Sequence, residues 1–125
     1  MKNKDLDLLT IIAQTIFDKK GFNILVLDVR SFSTMTNYCI IAEGNVDRHV
    51  KAISQALRDS LKPLGVTPFH VEGDHAADWL VMDYGWFMVH LFTPEMREKY
   101  ALEELWSKGA IVDVTIDIPK GDGYE

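Results

Sequence analysis

Disulfides, long apolar runs and an excess of basic charge are all missing from this 125-residue chain. A single cysteine, Cys39, rules out an internal disulfide and fits a reducing compartment. No apolar run approaches the roughly 20 residues needed to cross a bilayer. The opening MKNKDLDLLT has acids where a secretory signal would have its apolar core. Together these predict a cytoplasmic protein with no membrane partner. Lys and Arg number 13 against 19 Asp and Glu, a net charge of −6. That balance argues against a broad, sequence-independent grip on nucleic acid, which needs clustered cations to displace counterions. It leaves room for docking on a basic protein, where charge complementarity speeds encounter. Repeats, low-complexity tracts and linkers are absent too. The length fits one domain with a real core, assigned to residues 1–110, with 111–125 as a tail or edge strand.

The apolar pattern then gives the elements. Leu9, Ile12, Ala13, Ile16 and Phe17 recur at helical spacing, which predicts a helix over residues 5–19, stopped by Lys19-Lys20-Gly21. ILVLDV (24–29) and YCIIAE (38–43) are short apolar runs that predict buried strands. Asp47 is placed to cap a helix carrying Val50, Ile53, Leu57 and Leu61, ended by Pro63. VTPFHVE (66–72) predicts a strand demoted partly to an edge by Pro68. DWLVMD and WFMVHLF predict a hairpin with Tyr84-Gly85 as its two-residue turn. Thr93-Pro94 opens a last helix running to about Lys108, and IVDVTIDIP (111–119) alternates like an edge strand. The order predicts an α+β fold, a mixed sheet of about five strands flanked by helices.

Four groups of residues have chemistry to weigh. His70, Glu72, Asp74, His75 and Asp78 are ligand-type side chains, and spacing two puts His70 and Glu72 on one face of a strand. No tight metal signature accompanies them, so they read first as solvated polar groups. Cys39 would need a neighbouring base to act as a nucleophile, and its apolar strand suits a small core residue better. AEGNVDRHV offers one glycine and an acid where a phosphate would sit, although Arg48 and His49 in the first helical turn are placed to meet an anionic or carbonyl partner. The hairpin is the fourth. Trp79, Asp83, Tyr84, Gly85 and Trp86 gather aromatic and acidic groups around a turn, and interface hot spots favour such rings. His90, inside the return strand, reads first as structural. No cofactor motif stands out.

These residues also carry a family resemblance. DRHVKAI, VEGDHAADWLVMDYGWFMVHLF and REKYALEELW resemble, in order, the ribosomal silencing factors, also called the Iojap-like family. The match runs from Asp28 to about Trp106 through R-H-V, E-G, W-x-x-x-D-x-G, V-H and Y-x-L-E-x-L-W. The resemblance implies a nucleotidyltransferase-like fold lacking the catalytic carboxylates. The expected glycine-serine turn followed by a D-x-D pair is indeed missing here, so nothing would hold the two metal ions of phosphoryl transfer. It further implies a non-enzyme that binds the large ribosomal subunit through large-subunit ribosomal protein fourteen. There it blocks joining of the small subunit and represses translation, with a role in late large-subunit assembly attached to relatives. The implied partner-binding residues are Arg48, His49, Glu72, Trp79, Asp83, Tyr84, Gly85, Trp86 and His90. Little direct nucleic-acid contact and a monomer or weak homodimer are expected. The competing reading is a nucleotide- or metal-dependent enzyme using a relic nucleotidyltransferase pocket.

The sequence departs from the family pattern at Asn37, Glu43, Val46 and Trp86, where Asp, Thr, Ser and Asp are usual. Trp86 trades a charge for a ring beside the hairpin turn. A position that tolerates an acid is expected to be exposed, which predicts an exposed Trp86 and a more buried Trp79.

Overall fold

The computed structural model describes residues 4–31, 33–73, 78–100, 110–112, 114 and 116. Helix α1 spans Lys4–Asp18, and its apolar stripe Leu9, Ile12, Ala13 and Ile16 is buried. Its end shows how local sequence sets geometry. Lys20 takes the left-handed conformation (φ 71°), and the Gly21 amide returns to the Ile16 carbonyl at 2.8 Å. A Cβ on Gly21 would stand 2.4 Å from Ile16 Cγ2, so glycine is needed for close approach.

Strand β1 (Phe22–Asp28) and strand β2 (Tyr38–Glu43) pair antiparallel, with a register shift between Phe22 and Leu25 where Asn23 has φ 51°. Helix α2 (Asp47–Leu61) follows and continues into a 3₁₀ turn, Lys62–Leu64, that accommodates Pro63. Strand β3 (His70–Glu72), strand β4 (Trp79–Asp83) and strand β5 (Phe87–Phe92) form an antiparallel meander. Helix α3 begins at Pro94, as the Thr93-Pro94 pair predicts, and is described to Tyr100. Strand β6 (Ala110–Ile111) pairs with Leu27 and Asp28 of β1.

Among the described residues the sheet therefore has six strands in the order β3-β4-β5-β2-β1-β6, with β2 and β5 parallel and every other pair antiparallel. The mixed sheet and the α+β class are as expected. The extra strand is the start of the tail, whose alternation needed β1 as a partner. The expected strand over 66–72 shrinks to three residues, because Pro68 cannot donate to a ladder. Asp47 is not the cap of α2. Val46 holds that position without a side-chain bond, and Asp47 is the first helical residue. Residues 101–109, which the expected last helix would include, lie outside the described set.

Each face of the sheet has its own core. Ile40, Ala42, Leu80, Met82, Phe87, Val89 and Leu91 pack with α1 and α2 through Ile12, Ile16, Ile53 and Leu57. Burying each such side chain stabilises by about 1.5–3 kcal/mol. On the opposite face Leu27, Val29, Cys39 and Ile41 form a smaller cluster with Leu25. Arg97 of α3 reaches this region, donating to Glu43 Oε2 at 3.0 Å and to the Asn23 carbonyl at 2.6 Å.

Candidate docking site at the turn end of the sheet

The β4–β5 hairpin closes one residue later than the sequence suggested. The Tyr84 amide bonds the Phe87 carbonyl at 3.0 Å, which leaves Gly85-Trp86, not Tyr84-Gly85, as the loop. Gly85 has φ 91°, which L side chains rarely adopt, and its amide is held by Asp83 Oδ1 at 2.8 Å. Asp83 thus serves the turn with one oxygen while staying partly exposed.

Tyr84 is not at an exposed tip. Strand alternation carries Leu80 and Met82 into the helical core, and Tyr84 continues that face. It is 4% exposed and its ring stacks on Phe87 at 4.6 Å. Burial pushes its hydroxyl pKa up, with Arg58 nearby opposing the shift. The Tyr84 hydroxyl and Arg58 Nε are buried with no hydrogen-bond partner among the described residues.

Trp86 is also less free than expected. Its ring is half-buried and meets Tyr38 edge-to-face at 5.8 Å and Phe87 at 4.8 Å. The ring folds back onto the core, which an apolar group gains by doing.

Trp79 and His90 come together on the opposite face. Trp79 Nε1–H donates to His90 Nδ1 at 3.3 Å, and the Trp79 ring leans on Phe92 at 5.2 Å. Burial lowers the His90 pKa to about 4, so near neutrality it is an uncharged acceptor. Glu72 pairs with its strand neighbour His70 at 2.7 Å, both well exposed, a contact of little energetic weight.

The nine implied residues therefore do not form one cluster. Parallel pairing of β2 with β5, and antiparallel pairing of β4 with β5, place Asp83, Tyr84, Gly85 and Trp86 at the Tyr38 end of the sheet. Arg48 and His49 lie past Glu43, at the other end, with Trp79. There His49 is internally occupied. Its Nδ1 accepts from the Asn45 amide at 2.9 Å, and its Nε2 lies 2.7 Å from the Lys19 carbonyl. It ties the start of α2 to the end of α1. Arg48 is exposed. A depression of about 480 Å³ beside these residues is lined by Asp47, Asp78 and Glu95, which would repel a phosphate.

Other candidate chemistry fares as follows. Cys39 is 4% exposed and burial pushes its thiol up to about 12, so it stays a neutral core residue. Among the described residues no group of three or more His, Cys, Asp or Glu is placed to hold a metal ion. Asp74 and His75 of that expected set lie outside the described residues. Among the described residues no helix is long and apolar enough to cross a membrane.

Two residues went unnoticed in the sequence. Phe69 and Met35 are 81% and 82% exposed. Phe69 donates its amide to the Asp83 carbonyl at 2.8 Å, and a Cβ on Gly85 would stand 2.7 Å from its ring. Met35 lies in the loop whose Asn37 amide bonds the Trp86 carbonyl at 2.9 Å. The usable signal was the lack of charge around them, in SFSTMTN and PLGVTPF.

A mixed-sheet α+β domain with helices on its faces is a class shared with solved structures. The chain resembles the crystal structure of a protein from Chromobacterium violaceum, with a TM-score of 0.76, 26% identity and full coverage of both chains. The family described as ribosomal silencing factor during starvation matches residues 2–123. The chain belongs to that family. It is 34% identical over 107 residues to ribosomal silencing factor RsfS of Bacillus subtilis, covering 86% of this chain and 91% of that one. It is also 34% identical over 106 residues to mouse mitochondrial assembly of ribosomal large subunit protein 1, covering 82% of this chain and 45% of that one.

Proposed function

We propose that this protein is a non-catalytic translation repressor that binds the large ribosomal subunit and blocks joining of the small subunit. The supporting observation is the family match over residues 2–123. The name of the mouse relative supports the large subunit as the partner. The contact is with large-subunit ribosomal protein fourteen, and the factor acts in the cytoplasm as a monomer or weak homodimer. A net charge of −6 suits a basic ribosomal protein as partner.

The turn end of the sheet is the main contact in this reading. Asp83 lies there, partly exposed beside the rigid Gly85 turn, and Glu72 stands exposed on the neighbouring strand. Trp86 supplies ring surface from its half-buried position. Tyr84, buried, supports the turn from behind. Trp79 and His90 brace the far face, and Arg48, exposed at the other end, lies outside the main contact.

Co-sedimentation with purified subunits tests the proposal. The expected result is binding to free large subunits and reduced joining to small subunits. Equal binding to small subunits, or unchanged joining at saturation, would overturn it.

A further inference from the structure

The charge distribution at the turn end carries more than the hairpin alone. Three segments meet there. The Phe69 amide bonds the Asp83 carbonyl at 2.8 Å, its ring lies over Gly85, and the Asn37 and Tyr38 amides both reach the Trp86 carbonyl. The segments 33–37, 63–69 and 84–86 contain no Asp, Glu, Lys or Arg, in a chain where charged residues make up 26%. From this uncharged end project Met35 and Phe69, the two most exposed of the large apolar side chains described, at 82% and 81%. Trp86, half-buried, belongs to the loop that both segments contact, through its own carbonyl on one side and Gly85 on the other. Charge depletion with aromatic and methionine enrichment is the compositional mark of a protein–protein interface core.

Of the cations close to this end, Arg30 is engaged, Arg58 is partly buried and Lys62 is exposed. Arg30 is closed on Asp28 at 2.6 Å and lies over the Tyr38 ring. Arg58 Nε is buried beside Tyr84. Lys62 sits at the end of α2. A nucleic-acid strand would find rings to stack on here but, among the described residues, no row of cations to hold its phosphates.

We propose that Phe69, Met35 and Trp86 form the centre of the docking surface, and that this centre takes an apolar, uncharged protein surface of the large subunit. The inference rests on the reading that the chain docks on the large subunit. Asp83 then sits at the rim, where it sets orientation and encounter rate, while the apolar centre sets the lifetime of the complex.

The test measures large-subunit affinity for the full chain and for Phe69→Ser and Met35→Ser, with melting temperatures alongside. Both side chains are mostly in water, so both variants should melt like the parent. Each should bind about tenfold more weakly, the size of a modest hot spot. Parent affinity should fall by less than about threefold between about 50 and about 200 mM salt, whereas phosphate contacts would cost orders of magnitude. If Phe69→Ser proves unstable because its ring packs on Gly85, Met35→Ser, free of such packing, decides alone. Parent binding with both variants unchanged overturns this inference and leaves the proposed function standing. Variants unchanged together with a steep salt dependence would point to RNA instead. Failure of the parent chain itself to bind large subunits would sink the proposed function.

Discussion

The two ends of the sheet use their side chains in opposite ways. Where β2 and β5 finish and α2 and α3 begin, polar groups are tied to each other. His49 bridges Asn45 and Lys19, and Arg97 binds Glu43 and the Asn23 carbonyl, with Glu43 7% exposed and Arg97 9%. At the turn end, polar groups are few and apolar ones face water. The difference teaches that a charged or histidine side chain marks a contact surface only when its bonding capacity is unspent. Arg48 and His49 are adjacent in sequence, yet one is exposed and the other is structural.

Breaking the tied end should have the largest effect. Glu43→Ala removes the Glu43 carboxylate from beside the buried Arg97 guanidinium, and should cost about 3–5 kcal/mol of stability. Thermal or urea unfolding would measure it. A loss under about 1 kcal/mol would mean that the pair is worth no more than an exposed one. Glu43→Thr should destabilise similarly, since a hydroxyl cannot balance the charge.

His90 provides a pH test of the same packed interior. Its folded pKa, about 4, lies below the ordinary 6.5, so the unfolded state binds the extra proton. Stability should therefore be full above about pH 6.5 and decline as pH falls toward 4, by roughly 3 kcal/mol in total. His90→Gln should flatten that slope between pH 6.5 and 4. A slope unchanged in the variant would remove His90 as its source.

The two hairpin tryptophans sharpen the comparison further. Both are half-buried, so each alanine variant should lose about 2 kcal/mol, below the 3–5 kcal/mol of a fully buried ring. An exposed Trp86 would have made Trp86→Ala thermally silent, but Trp86 packs on Tyr38 and Phe87. What should separate the variants is binding, lost more in Trp86→Ala than in Trp79→Ala. Equal losses of affinity would blur the distinction between the two ends.

Much of this architecture was legible because its signals are periodic. The stripe of α1, the apolar run of β2 and the Thr93-Pro94 start of α3 follow directly from side-chain spacing. The site was legible in part. Tyr84 looked exposed because it lies beside a turn, although extending the Leu80, Met82 alternation would have turned it inward. An exposed Trp86 follows from the family pattern alone, whereas an indole gains by folding onto Tyr38 and Phe87. Phe69 and Met35 are invisible to motif reading, since their significance comes from three distant segments meeting at one end. The engaged state of His49 depends on a carbonyl from α1's end, 30 residues away in sequence, and no local pattern reports it.

Large-subunit affinity of Asp83→Lys against Arg48→Glu, with melting temperatures as a control, tests the central claim that docking occurs at the turn end. Both are charge reversals on exposed or partly exposed side chains, one at each end of the sheet. Asp83→Lys should weaken binding by about tenfold or more, equivalent to about 1.4 kcal/mol, and lose at most about 1 kcal/mol of stability with the Gly85 bond. Arg48→Glu should change affinity by less than about threefold. A large loss in Arg48→Glu with Asp83→Lys binding like the parent would contradict the account and move the contact to the opposite end of the sheet.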